Sequence, residues 1–298
     1  MLRQKNLVNN YLKSVKCSRL TIDRANAVIK DIVTNDPYGL SEFEVSFKVA
    51  GSVVGNECRV LSFDNNLYAS LNPYIFLERL KIFQGLIKKR LSAKRLKEAM
   101  RALGAAAGEH PDLYFGFDAR GSEYLFAFWL ILGGVKPDGS VKIKPAARKI
   151  LDDALDILGL KLRLPKMDIL NIGLDISKDE LFFKVYYLLG KSLLIEPYFK
   201  SLIAYAALIL KDYEHCTFFS ERFDLSGKMI FKKLYFEFLQ NVSFDDRNLP
   251  EFITSLSALG GVTADRGKVL KIIKDIGGRI SIIAFGSDNS VTFYIRTC

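Results

Sequence analysis

The sequence predicts an α+β protein: a ten-stranded antiparallel β-barrel made of five ββ-plus-helix repeats, with the helices outside. Three observations lead there. Period-two alternation marks five pairs of short runs, each pair joined by a turn signal. The pairs recur roughly every fifty residues with helical spacing between them, the mark of an internal repeat. Two pairs also match in sequence, GFDARGSEYLFAF (116–128) against GLDISKDELFFKV (173–185), with Gly, Asp, Glu and Phe in register. Ten strands are near the limit of an open twisted sheet, so closure is expected. Hairpin neighbours need no crossover, so the helices gather on one side of the sheet.

In chain order, residues 3–16 and 20–34 have helical spacing, and Asn35-Asp36-Pro37 ends the second run. The first hairpin spans 43–63, with a turn at Ala50-Gly51-Ser52. Two Lys- and Arg-rich helices are expected at 73–91 and 92–108. The second hairpin covers 112–132, and a helix over 144–158 is stopped by Gly159. The third covers 167–189, followed by a helix at 197–211. The fourth covers 216–239, followed by helices at 249–259 and 265–276, and the fifth covers 278–298. The whole chain, 1–298, reads as one domain, with N-terminal helices in 1–36 and barrel repeats in 40–298.

Composition narrows the function. The chain is 49% hydrophobic, ample for a core, and carries a net charge of +10. That balance suits phosphates, nucleic acid or an anionic surface. Four widely spaced cysteines give no disulfide framework, which points to a reducing compartment. Two histidines exclude His-rich metal sites. The N-terminal stretch lacks a signal-peptide run, and apolar runs such as SLIAYAALIL are too short to span a bilayer. The expectation is a soluble, cytoplasmic monomer.

The stretch ELFFKVYYLL (180–189) is the most informative. Both faces are largely apolar, so the strand is covered on both sides, yet Lys184 lies in its middle. A lysine facing an enclosed space needs a partner. FKKLYFEF (231–238) repeats the Lys-x-Tyr pattern with Lys233 and Tyr235. Helices cover the outward faces, so Phe43, Val45, Phe47 and Val49 point out, and the alternate residues line the lumen. That places Glu44, Ser46, Lys48, Glu57, Arg59 and Leu61 inside from the first hairpin. The second gives Leu125, Ala127 and Trp129, and the third Phe182, Lys184 and Tyr186. The fourth gives Lys233, Tyr235 and Glu237, and the fifth Thr292, Tyr294 and Arg296. Clustered cations repel unless an anion sits among them. Aromatic walls beside them suit an organic diphosphate whose departure leaves a carbocation.

This combination resembles the ABBA-barrel (PT-barrel) aromatic prenyltransferases. The first hairpin, FEVSFKV…CRVLSF, is similar to that of the cyanobactin (cyanobacterial peptide) prenyltransferases. The resemblance implies transfer of a dimethylallyl or geranyl group from its diphosphate to an indole, phenol or peptide side chain. It implies that Glu44 is the general base and that Lys48, Arg59, Lys184 and Lys233 bind the diphosphate. It implies that Tyr186, Tyr235 and Tyr294, with Trp129 and Phe182, shield the cation and form the acceptor pocket. Family members often carry a lysine where the repeat puts Ala127; that contact is missing or is supplied by Arg296. The implied partners are a prenyl diphosphate donor and an aromatic small molecule or peptide acceptor. No organic cofactor, nucleic acid or membrane is implied. Magnesium (Mg2+) beside the diphosphate stays open, with Glu57 and Asp64 nearby but no ligand spacing to prove a metal.

Other readings compete. Glu44 and Arg59 also fit a cross-strand ion pair, and Trp129 also fits a core position. Asp152-Asp153-Ala-Leu-Asp156 spells a magnesium–diphosphate motif of all-helical synthases, but the apolar stripe Ile150, Leu151, Ala154, Leu155 and Leu158 leaves the aspartates on the wet face. GVTADRGK (261–268) is one residue too long for a phosphate-binding loop, and Val269 stands where Ser or Thr is needed. His110 and His215 lie at strand entrances, as structural or surface residues. A basic nucleic-acid binder would need exposed aromatics among its cations. A non-catalytic barrel for an apolar ligand would not need several lumen cations.

Overall fold

The structure is a computed structural model. It describes residues 2–15, 17–35, 42–54, 58–63, 113–120, 123–135, 140–176, 180–189, 197–210, 214–242, 251, 254–255, 265–277 and 279–296. The helices expected at 73–91 and 92–108 lie outside these residues, as do His110, Glu57 and Asp64.

The strands are β1 (Glu42–Ala50), β2 (Val53–Val54), β3 (Cys58–Phe63), β4 (Leu113–Arg120), β5 (Glu123–Ile131), β6 (Gly133–Val135), β7 (Val141–Ile143), β8 (Ile169–Ile176), β9 (Leu181–Leu188), β10 (His215–Asp224), β11 (Met229–Val242), β12 (Arg279–Gly286) and β13 (Ser290–Arg296). The helices are α1 (Leu2–Ser14), α2 (Arg19–Asn35), α3 (Ala147–Leu158), α4 (Pro197–Ile209) and α5 (Arg266–Ile276).

Pairing runs β13-β12-β11-β10-β9-β8-β5-β4-β3-β1, and β1 pairs back onto β13, from Glu44↔Arg296 to Ala50↔Ser290. The ring therefore closes. β2 pairs with β1 beside β3, so the two form one interrupted strand. The five hairpins are the five expected from alternation. Their turns have local causes. Asp224 accepts hydrogen bonds from the Ser226 and Lys228 amides at 2.9 and 3.0 Å, and Gly227 takes a φ of +83° that suits glycine. Hydrogen bonds to the ionised form, the Ser226 hydroxyl first, hold the Asp224 carboxyl below its usual range.

Alternation separates two apolar clusters. Val45, Phe47, Val49, Phe183, Val185, Tyr187, Leu234, Phe236 and Phe293 belong to the larger one, which takes in the buried faces of the helices. Ala127, Trp129, Leu170, Tyr186, Cys216, Phe218, Tyr235, Ala284 and Tyr294 form a second cluster inside the ring. In α3, Ile150, Leu151, Ala154, Leu155 and Leu158 are buried while Asp152 and Asp156 are exposed, as the stripe predicted. Gly159 ends this helix at φ 68°, its amide donating to the Asp156 carbonyl. Asp265 caps α5 through the Gly267 amide at 2.8 Å, which gives part of the false phosphate-loop match a structural role.

One element differs from the expectation. The helix expected from residue 144 starts at Ala147, and a small hairpin, β6–β7, precedes it. Val141 and Ile143 from this hairpin pack on the inner cluster, and Leu132 hydrogen-bonds the Leu170 carbonyl at 2.7 Å. The hairpin thereby sits beside the start of β8, at the end of that strand away from the β8–β9 turn.

Candidate active site

Cross-strand register places the predicted residues on one face around the ring. Glu44, Ser46 and Lys48 pair with Arg296, Tyr294 and Thr292. Across the barrel, Lys184 pairs with Gly173 and Arg222, and Tyr186 with Asn171 and Ser220. Lys233 pairs with Ser220 and Gly286, and Tyr235 with Phe218 and Ala284. Arg59 takes the same face by register, opposite Ser46 and Asp118; its side chain lies outside the described residues.

The aromatic residues form one continuous wall. The Trp129 indole N–H donates to the Tyr186 hydroxyl at 2.7 Å. Tyr186 lies 5.8 Å from Tyr235, which stacks on Phe218 at 4.7 Å and lies 6.4 Å from Tyr294. Burial raises the Tyr186 hydroxyl well above the ordinary tyrosine value, and Tyr235 and Asp175 add to the rise. Tyr186 therefore keeps its proton.

Two ammonium groups border this wall. Lys233 Nζ donates to the Thr292 hydroxyl at 2.7 Å and the Tyr294 hydroxyl at 3.3 Å, and lies 5.7 and 5.4 Å from the Tyr235 and Tyr294 rings. Lys184 Nζ lies 2.6 Å from Asp175 Oδ2 and 5.9 Å from the Trp129 ring. Asp175 is thus the partner that a lysine in a covered strand requires. Arg222 also reaches Asp175, at 3.4 Å, and its guanidinium stacks on Phe182 at 3.8 Å. Lys48 is half-exposed near the β12–β13 turn, with Nζ 2.5 Å from Asp288 and 5.6 Å from the Phe231 ring. Burial pushes the Asp288 carboxyl up, but hydrogen bonds from Lys48 and Ser290 outweigh this and lower it.

A separate carboxylate site lies further along the same lumen. Glu44 is fully buried. Its Oε2 receives Arg296 Nε at 2.6 Å and the Ser281 hydroxyl at 2.5 Å. Its Oε1 is buried with no hydrogen-bond partner among the described residues. Arg296, considered above for the diphosphate, is engaged here, with Glu237 3.9 Å beyond it. Among the described residues Glu44 pairs with Arg296, and the alternative Glu44–Arg59 pair falls on a side chain outside them. Burial raises the Glu237 carboxyl; Arg296 opposes the rise and Glu44 adds to it. Burial, with a contribution from Glu237, pushes the nearby Cys216 thiol to about 11, so it stays protonated.

The sequence reading missed Asp175, Arg222 and Ser220. The signal was present: alternation extended to the first strands of the third and fourth hairpins puts them inside. Ser281 had no such signal, because it is the extra residue where the β12–β13 register shifts between Ile280 and Ile282.

A cleft of about 910 Å³ is lined by residues including Lys144, Arg148, Lys166 and Met167. Ile143 and Leu188 lie between it and the inner cluster. Among the described residues no three metal-ligating groups converge. No described helix is long and apolar enough to cross a membrane. The wall aromatics are buried, which leaves them unavailable as a surface platform for bases.

No family model and no curated protein matches the sequence. Solved structures do match. The 5-dimethylallyltryptophan synthase from Streptomyces coelicolor aligns with a TM-score of 0.65 at 13% identity, over 97% of this chain and 95% of that one. The chain folds as an ABBA barrel. The NotF prenyltransferase aligns with a TM-score of 0.59 at 14% identity, over 99% of this chain and 93% of that one. Such identities speak for the ABBA-barrel architecture alone; the chemistry rests on the lumen.

Proposed function

We propose that the protein transfers an allylic prenyl group, dimethylallyl or geranyl, from its diphosphate to an electron-rich aromatic acceptor. The observation that carries this reading is the aromatic wall of Trp129, Tyr186, Tyr235 and Tyr294 bordered by the ammonium groups of Lys184 and Lys233 inside a closed barrel. Both solved structures named above bear prenyl-transfer names, which supports it.

Lys184 and Lys233, with Lys48 and Arg59, hold the diphosphate. Its C–O bond breaks and pyrophosphate leaves with the electron pair, stabilised by the cations. The tyrosine and indole faces stabilise the allyl cation and exclude water, with Phe182 at the Arg222 side. The acceptor's π electrons or heteroatom form the new bond to carbon. Its proton goes to Glu44 Oε1, the oxygen that Arg296 and Ser281 leave open. An indole, a phenol or a peptide side chain meets this requirement. The cyanobactin-type acceptor is the peptide case. Asp175 and Asp288, the described acids beside these cations, are ion-paired, Glu57 and Asp64 lie outside the described residues, and no step above is routed through magnesium.

Calorimetry with dimethylallyl and geranyl S-thiolodiphosphate, which bind without reacting, tests the donor site. Micromolar binding that weakens about tenfold or more in Lys233→Ala is expected, the scale of a lost charge-assisted contact. Absence of binding to either compound overturns the proposal. Glu44→Gln is expected to lower turnover by about 10²–10⁴ with donor affinity unchanged, the range for a lost general base.

A further inference from the structure

We infer that Asp175 is an internal counter-ion holding Lys184 and Arg222 before a donor binds, and that a diphosphate takes both cations over, making Arg222 a diphosphate ligand. The inference rests on the proposed donor and adds a residue that the Lys-x-Tyr pattern does not reveal.

Lys184 and Arg222 are direct cross-strand partners on β9 and β10, so two like charges face each other. Asp175, on neighbouring β8 and 1% exposed, neutralises only one of them. Both cations converge on the same oxygen, Oδ2, at 2.6 and 3.4 Å. Both Asp175 oxygens are buried with no hydrogen-bond partner among the described residues, so Oδ2 holds the two cations as ion pairs alone. A guanidinium is shaped for two parallel bonds to an oxyanion. Among the described residues Arg222 has one long ionic contact instead, and its buried Nε makes no hydrogen bond. Its plane is already fixed against Phe182. Among the described residues the arginine is therefore oriented but incompletely bonded, and a phosphate oxygen supplies the missing acceptor. Ala127, the β5 partner of Asp175, carries no charge. Arg222 thus provides the second cation on this wall, while Arg296 is committed to Glu44.

Inorganic pyrophosphate is the probe, titrated into the full chain by calorimetry, with melting temperature followed in parallel. Arg222→Gln is expected to bind it about tenfold more weakly than wild type, and Arg222→Lys to recover only part of that loss, because a lysine lacks the fork. Asp175→Asn is expected to melt lower than wild type when empty, to regain the difference at saturating pyrophosphate, and to bind it several-fold more tightly, because the competing carboxylate is gone. Wild-type affinity in Arg222→Gln, or lost affinity in a folded Asp175→Asn, overturns the inference. If either occurs while Lys233→Ala still loses binding, the prenyl-transfer reading stands. If wild type binds neither pyrophosphate nor the thiolodiphosphates, both fall. Should Asp175→Asn fail to fold, the two Arg222 variants decide alone.

Discussion

The two faces of a single strand differ more than any two separate elements of this protein. On β9, Phe183, Val185 and Tyr187 point outward into the helix-covered core. One residue out of phase, Phe182, Lys184 and Tyr186 point inward to Arg222, Asp175 and Trp129. The outward face carries the packing. The inward face spends buried surface on ions and hydroxyls that a stability-optimised core would replace with hydrocarbon. Alternation thus divides labour at the level of a single residue step.

Four substitutions probe that division, from the largest effect to the smallest. Phe183→Ala, on the outer face, is expected to cost about 3–5 kcal/mol of unfolding free energy in denaturant titration, with donor affinity unchanged in molecules that stay folded. A comparable loss of donor affinity would show that the faces are not independent. Gly173→Ala tests an inner-face residue with a packing role. An added Cβ would lie 2.9 Å from the Phe128 carbonyl oxygen and 3.0 Å from Trp129 Cδ1. A cost of about 1–3 kcal/mol is expected, because backbone cannot yield as a side chain can. Lys233→Met should leave unfolding free energy within about 1 kcal/mol of wild type while removing donor binding. A loss as large as that of Phe183→Ala would make the lysine a structural residue.

The fourth effect is pH-dependent. The Glu237 carboxyl is raised in the folded state, so folding favours its proton. That stabilising contribution is complete below the ordinary glutamate range and is lost as pH rises through the folded value. Glu237→Gln mimics the protonated form. Its melting temperature should match wild type near about pH 4, exceed it by a margin that grows as pH rises through the folded value, and keep that margin above it. A constant gap across that range would place the effect in packing rather than in charge.

Most of the architecture was legible because alternation is a local signal. Val45, Phe47 and Val49 announced the outer face of β1, and so by default the inner face of Glu44, Ser46 and Lys48. What was not legible depends on distance in the chain or on irregularity. The Lys48–Asp288 contact joins residues 240 positions apart, and only closure of the ring brings them together. The orientation of Ser281 toward Glu44 follows from a bulge, which breaks the alternation that made the rest readable. β6 and β7, at three residues each, are too short to show a period. Asp175 and Arg222 were within reach of the method, and their roles became evident only when the register of β8, β9 and β10 set them side by side.

Trp129 is the only tryptophan in the chain, and it stands in the lumen wall. Its ring faces the Lys184 ammonium at 5.9 Å, and its N–H is held by the Tyr186 hydroxyl. The protein's indole emission therefore comes from one known place beside one known charge. Any ligand that draws Lys184 aside or covers the ring changes that emission, so the barrel carries its own optical gauge of occupancy and needs no added label.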